Sequence, residues 1–175
     1  WHLSRCKSRL TSRKGLRKGR RTYESSFLEE AMSAILVTSG DLPACSQAAL
    51  QAVMELRKRI DTDLQPCEFP TEAFLHAGCY VRTCKVPKDT VLAGAVIKVP
   101  TVLVIVGHCL VTAGEDVREI EGLAILRGAA GRSQVFRALE DTYLIMFYAS
   151  SACSLETAEE EFTDEFAQLL SRRTR

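Results

Sequence analysis

The chain has 175 residues, 46% of them hydrophobic, which suits one globular domain with a sizeable core and some appended helix. Formal net charge is +1, so the overall balance selects no class of partner. No stretch reaches the about 18 consecutive apolar residues that a membrane-spanning helix needs, which excludes such a span; the run Val102–Val106 is strand-sized.

Charge is unevenly distributed. Residues 1–23 hold nine cations (Arg5, Lys7, Arg9, Arg13, Lys14, Arg17, Lys18, Arg20 and Arg21) and no acid, while the other residues hold 14 basic and 22 acidic groups. A +9 segment thus precedes a body of −8. Residues 1–22, punctuated by Gly15 and Gly19, read as a basic arm that is flexible or ordered by a partner. No apolar signal-peptide core follows it, so no secretion signal is expected.

The seven cysteines, Cys6, Cys45, Cys67, Cys79, Cys84, Cys109 and Cys153, form no CxxC pair. An odd number, several within apolar patterns, reads as reduced thiols acting as small apolar side chains. With only His2, His76 and His108 to join them, no zinc spacing emerges.

Helical signals come first. Ser26 and Glu29 form a capping box, and Phe27, Leu28, Ala31, Ile35 and Leu36 recur at helical spacing up to Gly40. Asp41 and Pro43 open a second helix over Ala44–Ile60, with Arg57, Lys58 and Arg59 in its expected last turn. Together these predict an αα-hairpin over 24–62. Asp61–Thr71, broken by Pro66 and Pro70, reads as a linker.

The period then changes. Eight short β-rich runs follow at near-regular spacing: Cys79–Val86, Val91–Val99, Val102–Val106, Cys109–Thr112, Val117–Ile120, Ala124–Leu126, Ser133–Leu139 and Tyr143–Tyr148. Turns are expected at Gly107-His108 and Gly122 among others. Val102–Val106 and Tyr143–Phe147 are almost wholly apolar, so both of their faces are expected to be covered. Residues 72–150 therefore predict a sandwich or barrel. A C-terminal helix over 154–173 is expected from the box Thr157–Glu160 and the stripe Phe162, Phe166, Leu169 and Leu170.

Several features read as structural. His108 fits a solvated turn, whereas His76, ahead of the first predicted strand, could face inward. The piece Gly128-Ala129-Ala130-Gly131-Arg132-Ser133 lacks a Walker lysine and leads into a strand pattern, so it reads as a turn. No nucleophile elbow or ordered triad is present, and no catalytic residue is assigned.

The pieces Tyr80-Val81-Arg82, Val86-Pro87-Lys88-Asp89-Thr90-Val91-Leu92-Ala93-Gly94, Val117-Arg118-Glu119-Ile120-Glu121-Gly122 and Ala138-Leu139-Glu140-Asp141-Thr142, with the turns at Gly107 and Gly131, form a recurring pattern. On them, Tyr80–Tyr148 resembles small cupin proteins of phages and prophages. Arg17-Lys18-Gly19-Arg20-Arg21-Thr22 followed by two helices is similar to the leader of some of these. The resemblance implies an α+β, mainly β chain: an antiparallel cupin-type barrel (double-stranded β-helix or jelly roll) with the N-terminal αα-hairpin and C-terminal helix. It also implies where metal ligands would stand. Those positions carry Ile97, Pro100, Thr101 and Ser133 or Gln134, poor ligands all, so the metal site is expected to be degenerate and no cofactor is expected.

Three functions follow as expectations. The first is a non-enzymatic structural or binding module, a phage virion-associated or assembly accessory protein, acting through protein–protein contacts. Its partners would be further copies of itself and other virion or assembly proteins, in the host cytoplasm and the virion. The second is a nucleic-acid-binding regulator whose nine arm cations contact phosphates nonspecifically. The third is a metal-free cupin holding a small molecule, although Ile97, Val99, Val102 and Val104 suggest an interior filled by side chains. No membrane partner is expected.

Overall fold

The computed structural model describes residues 37–169. The basic arm, most of the first predicted helix and residues 170–175 lie outside the described residues.

The described chain begins with a strand, β1 (Val37–Leu42), where the sequence predicts the end of a helix. Helix α1 (Gln47–Asp63) follows. Its start is fixed by Ser46, whose Oγ accepts a hydrogen bond from the Ala49 amide at 3.1 Å. The helix buries Val53 and Ile60, two turns apart on one side. It runs three residues past the expected end at Ile60, so Arg57–Arg59 sit before the last turn and do not cap the dipole. The predicted αα-hairpin is therefore replaced, in its described part, by a strand and one helix.

Seven more strands follow: β2 (Thr71–His76), β3 (Cys79–Val86), β4 (Val91–Ala93), β5 (Thr101–Ala113), β6 (Asp116–Gly128), β7 (Val135–Ala138) and β8 (Thr142–Ala149). The sheet order is β1-β6-β5-β8-β3-β2, with β7 also paired to β5 and β4 to β7. All pairs are antiparallel except β1 with β6, so the sheet is mixed.

The runs expected as separate strands on either side of Gly107 are one 13-residue strand, as are those on either side of Gly122. The two glycines are register partners, and both have positive φ (136° and 83°). The β5–β6 ribbon is thus bent at one level rather than turned back. The bend lets β5 change partner: Val102–Val106 pair with β8, and Cys109–Val111 with β7. A Cβ on Gly107 would lie 2.8 Å from the Asp141 carbonyl oxygen. The reversal itself is the two-residue loop Gly114-Glu115, with φ 70° at the glycine.

This bend folds β4 and β7 over β3 and β8. Leu92 and Phe136 from one side meet Leu103, Ile105, Val86 and Leu144 from the other in one core. In β5 the odd-numbered residues Thr101, Leu103, Ile105, Cys109, Val111 and Ala113 are all buried. The architecture is a β-rich barrel of jelly-roll type.

The expectation that Val102–Val106 and Tyr143–Phe147 are covered on both sides does not hold, since Val106 is 42% and Tyr143 48% exposed. Strand β2, read from sequence as partly linker, is an edge strand whose Glu72, Phe74 and His76 face solvent. His76 therefore does not face inward. The predicted Val91–Val99 strand stops at Ala93 and resumes only as a bridge between Ile97 and Arg132.

The predicted C-terminal helix is shorter and starts differently. Helix α2 (Leu155–Phe162) is capped by Ser154, whose Oγ accepts from the Thr157 amide at 3.2 Å. Thr157 is thus inside the helix and its box with Glu160 does not form the cap. The chain leaves the helix at Thr163, and a 3₁₀ turn, Phe166–Gln168, follows. Phe162 stacks with Tyr148 at a centroid distance of 6.1 Å and, with Ala158 and Leu169, closes one end of the barrel.

Candidate functional site

Two inward-facing rows form one wall of an interior space. Arg82, Met146 and Leu103 are successive partners across β3, β8 and β5, and Cys84, Leu144 and Ile105 form the next row. The opposite wall is Leu92 on β4 with Arg132, Gln134 and Phe136, alternate residues on and just before β7. Phe162 and Leu169 close the end. Between these walls lies a cavity of about 100 Å³. Its lining is mostly apolar and contains two arginines, Arg82 and Arg132, and no carboxylate.

Arg132 is fully buried. Its position depends on Gly128, because a Cβ there would lie 2.2 Å from the Arg132 Cζ. One terminal nitrogen donates to the Ala129 carbonyl at 2.6 Å and the other donates to Thr101 Oγ1. Its Nε, like the Nε2 of the 3%-exposed Gln134, has no hydrogen-bond partner. Among the described residues no carboxylate is ion-paired with Arg132. Burial pulls its pKa down to about 10, partly offset by Cys45, so it stays a cation at neutral pH. Burial also pushes the Cys84 thiol up to about 11, against smaller opposing effects of Arg82 and the Leu144 backbone. Cys84 therefore lines the cavity as a neutral thiol, and Cys109, buried in the core away from the cavity, is pushed up to about 11 by the same cause.

A polar clasp ties α1 and the C-terminal segment to the loop after β4. Arg57 on α1 donates to Glu165 and to the Gly94 carbonyl, and Glu165 Oε1 accepts from the Val96 amide at 3.1 Å. Lys98 adds contacts to the Glu160 carbonyl at 2.9 Å and to Asp164 at 2.8 Å.

Of the positions singled out as degenerate metal ligands, Ile97 and Gln134 line the cavity, and Thr101 is buried with its hydroxyl engaged by Arg132. Ser133 is buried but points away, its Oγ donating to the Gly94 carbonyl at 2.8 Å, and Pro100 is exposed. Val102 and Val104, expected to fill the interior, belong to the opposite face of β5. Among the described residues, no three of His, Cys, Asp and Glu converge as a metal site. A cavity bounded by guanidinium and amide donors does not fit a resident cation.

His108 lies within β5, not at a hairpin tip, and its Nε2 meets Glu119 at 2.7 Å. The nine arm cations lie outside the described residues, so the structure places none of them at this site. Arg82 and Arg132 were not assigned a role from sequence. The signal for Arg132 was the alternation Arg132, Gln134, Phe136, which puts an arginine in phase with an inward-facing phenylalanine. No helix of the described residues is long and apolar enough to cross a membrane.

No protein-family model matches the chain, and no curated protein matches it. Among solved structures, it is similar to a cupin superfamily protein from Desulfitobacterium hafniense, at 8% identity over 48% of this chain and 79% of that one, with a TM-score of 0.43. It is similar to a DMSP lyase from Ruegeria pomeroyi, at 9% identity over 49% of each chain, with a TM-score of 0.40. It is also similar to salicylate 1,2-dioxygenase from Pseudoaminobacter salicylatoxidans, at 11% identity over 75% of this chain and 39% of that one, with a TM-score of 0.44. The chain spans about half of the lyase and less of the dioxygenase. The likeness is one of cupin-type fold. Two of these neighbours are enzymes, so the expectation that this chain is not an enzyme is withdrawn.

Proposed function

We propose that the chain is a binding module whose barrel holds a small, largely apolar molecule in the cavity between β3–β8 and β4–β7. The observation that carries this reading is the cavity of about 100 Å³ lined by Leu92, Leu103, Phe136, Leu144 and Met146. Apolar cavities of comparable size bind small apolar guests. In this reading the barrel does without a resident metal, and Ile97 and Thr101 serve as cavity wall and as support for Arg132. Xenon or short-chain alcohols should shift the methyl resonances of Leu103, Leu144 and Met146 and raise the melting temperature. The variant Ala95→Leu, which adds volume to the lining, should weaken that shift while leaving the fold intact. Equal responses in both proteins would sink the proposal.

A second reading, contact between copies, is favoured by the outer face of the sheet. Phe74, Val81, Phe147 and Val102 are successive partners across β2, β3, β8 and β5, and Tyr143, Val106 and Leu123 form a parallel row across β8, β5 and β6. Phe74, Val106, Ile125 and Tyr143 are each more than 40% exposed on this face, and contiguous apolar patches of this kind mark interaction surfaces. Light scattering at micromolar concentration should give a multiple of the chain mass that falls to one chain in Val106→Glu. A single-chain mass for the unmutated protein would reject the contact. A virion-associated or assembly role and nucleic-acid contact by the arm rest on the sequence resemblance and the arm's charge.

A further inference from the structure

We infer that residues 163–169 form a strap over the end of the cavity, and that its release, with the barrel still folded, lets a guest enter and leave. The inference concerns regulation of the cavity already described and rests on the small-molecule reading.

Three observations converge. First, the segment supplies cavity wall without belonging to the sheet. Phe162, at the end of α2, and Leu169 both line the space and are only 3% and 4% exposed. Between them Asp164, Ala167 and Gln168 are exposed, and the one regular element is the 3₁₀ turn Phe166–Gln168. The segment is thus fixed inward at its two ends and faces solvent in its middle. Phe162 is held by its stack with Tyr148, so the hinge falls at Thr163, where the chain leaves the helix, and Leu169 is the end that swings.

Second, polar tethers hold the strap down. Glu165 is the main one: Oε2 accepts from Arg57 on α1 at 2.5 Å and Oε1 accepts from the Val96 amide at 3.1 Å. Arg57 also donates to the carbonyl of Gly94, a residue of the cavity lining. One carboxylate therefore joins the strap, α1 and the loop after β4. Lys98 is the second tether, with Nζ 2.8 Å from Asp164 and 2.9 Å from the Glu160 carbonyl. The Arg57 and Glu165 side chains are 23% and 26% exposed, and those of Lys98 and Asp164 39% and 87%. Solvent-exposed ion pairs contribute little to stability, and segments with few buried contacts open locally before the whole domain unfolds.

Third, the other walls are strands in ladders. Leu103 pairs with Met146, Ile105 with Leu144, and Leu92 with Phe136. Parting any of these breaks the core, whereas lifting the strap withdraws Leu169 and breaks the tethers.

The test is native-state hydrogen exchange of the full chain by NMR, with xenon titration as the cavity control. The strap is reported by the amides of Gln168 and Leu169, which donate to the Glu165 and Phe166 carbonyls. They should exchange at least about a hundredfold faster than the amides of β5 and β8, as local opening requires. Glu165→Ala should speed strap exchange about tenfold, the loss expected for a charge-assisted hydrogen bond, and leave β5 and β8 unchanged. Xenon release, read from exchange broadening of the Met146 methyl resonance, should speed by a similar factor. Glu165→Gln should fall between, because an amide has one acceptor oxygen for two donors. Lys98→Met, which removes the second tether, should act in the same direction and decides the matter if Glu165→Ala fails to fold. Exchange of strap and strands as one unit, or xenon release unchanged while strap exchange speeds up, overturns the strap, and xenon binding then preserves the cavity reading. Absence of xenon binding overturns both.

Discussion

At the scale of single residues, the arrangement turns on glycines that make room for something else. Gly128 stands where any side chain would meet the Arg132 guanidinium, and Gly107 stands where a side chain would meet the Asp141 carbonyl and Thr142. The first of these couples a glycine to a charge. Gly128→Ala should destabilise the protein by about 2 kcal/mol by forcing the guanidinium from its pocket. The same substitution in an Arg132→Ala background should cost much less, because the obstruction is then gone. Urea unfolding of the two single variants and the double variant gives the coupling directly; additive effects would show that Gly128 is required for another reason. Sequence reading registered Gly128 and Gly131 as turn residues and left Arg132 without a role. The identity of the residues was visible, but the match between a missing Cβ and a guanidinium from four positions later exists only once the chain leaves β6 and doubles back.

At the scale of elements, the local rules were reliable where a cap or alternation acts alone. Strand β3 was legible from Cys79 to Val86 because its neighbours are turn residues on both sides. The C-terminal helix was legible as a helix, but its cap was placed at Thr157 instead of Ser154. Only Thr157 heads a Ser/Thr-x-x-Glu box, yet the packing of Ala158 and Phe162 with Tyr80 and Tyr148 goes with the register that starts three residues earlier. Ser154→Ala should therefore lower stability by about 1 kcal/mol, and Thr157→Ala by a few tenths at most. Thermal unfolding of the two variants distinguishes the caps, and a larger loss at Thr157 would return the cap to the box. The two long strands were misread for a related reason. A glycine inside an apolar run signals a turn or a bend equally well, and the pairing of Gly107 with Gly122 decides for the bend.

At the scale of the whole molecule, β1 shows how far tertiary context overrides a local pattern. Residues 37–42 span the expected end of one helix at Gly40 and the expected start of the next at Asp41, yet they lie parallel to β6, with Leu42 fully buried in the core. The partner strand is about 85 residues away in sequence, as the register Val37 with Leu123 shows, so no local window contains the cause. The Arg57–Glu165 clasp has the same character. Arg57 was assigned to the helix dipole, whereas it ties α1 to the C-terminal segment and to the loop after β4.

The sequence by itself determined that the second half of the chain is β-rich and that a helix follows it. These depend on side-chain period, capping and turn chemistry, which act over a few residues. Only the tertiary structure decided that four predicted strands are two, that Val106, Ile125 and Tyr143 stand exposed on one face of the sheet, and that the buried Arg132 and Gln134 are left with a donor unmet. Those outcomes depend on which distant strands pair and on what surrounds a buried charge, and both are fixed only when the two halves of the barrel close on each other.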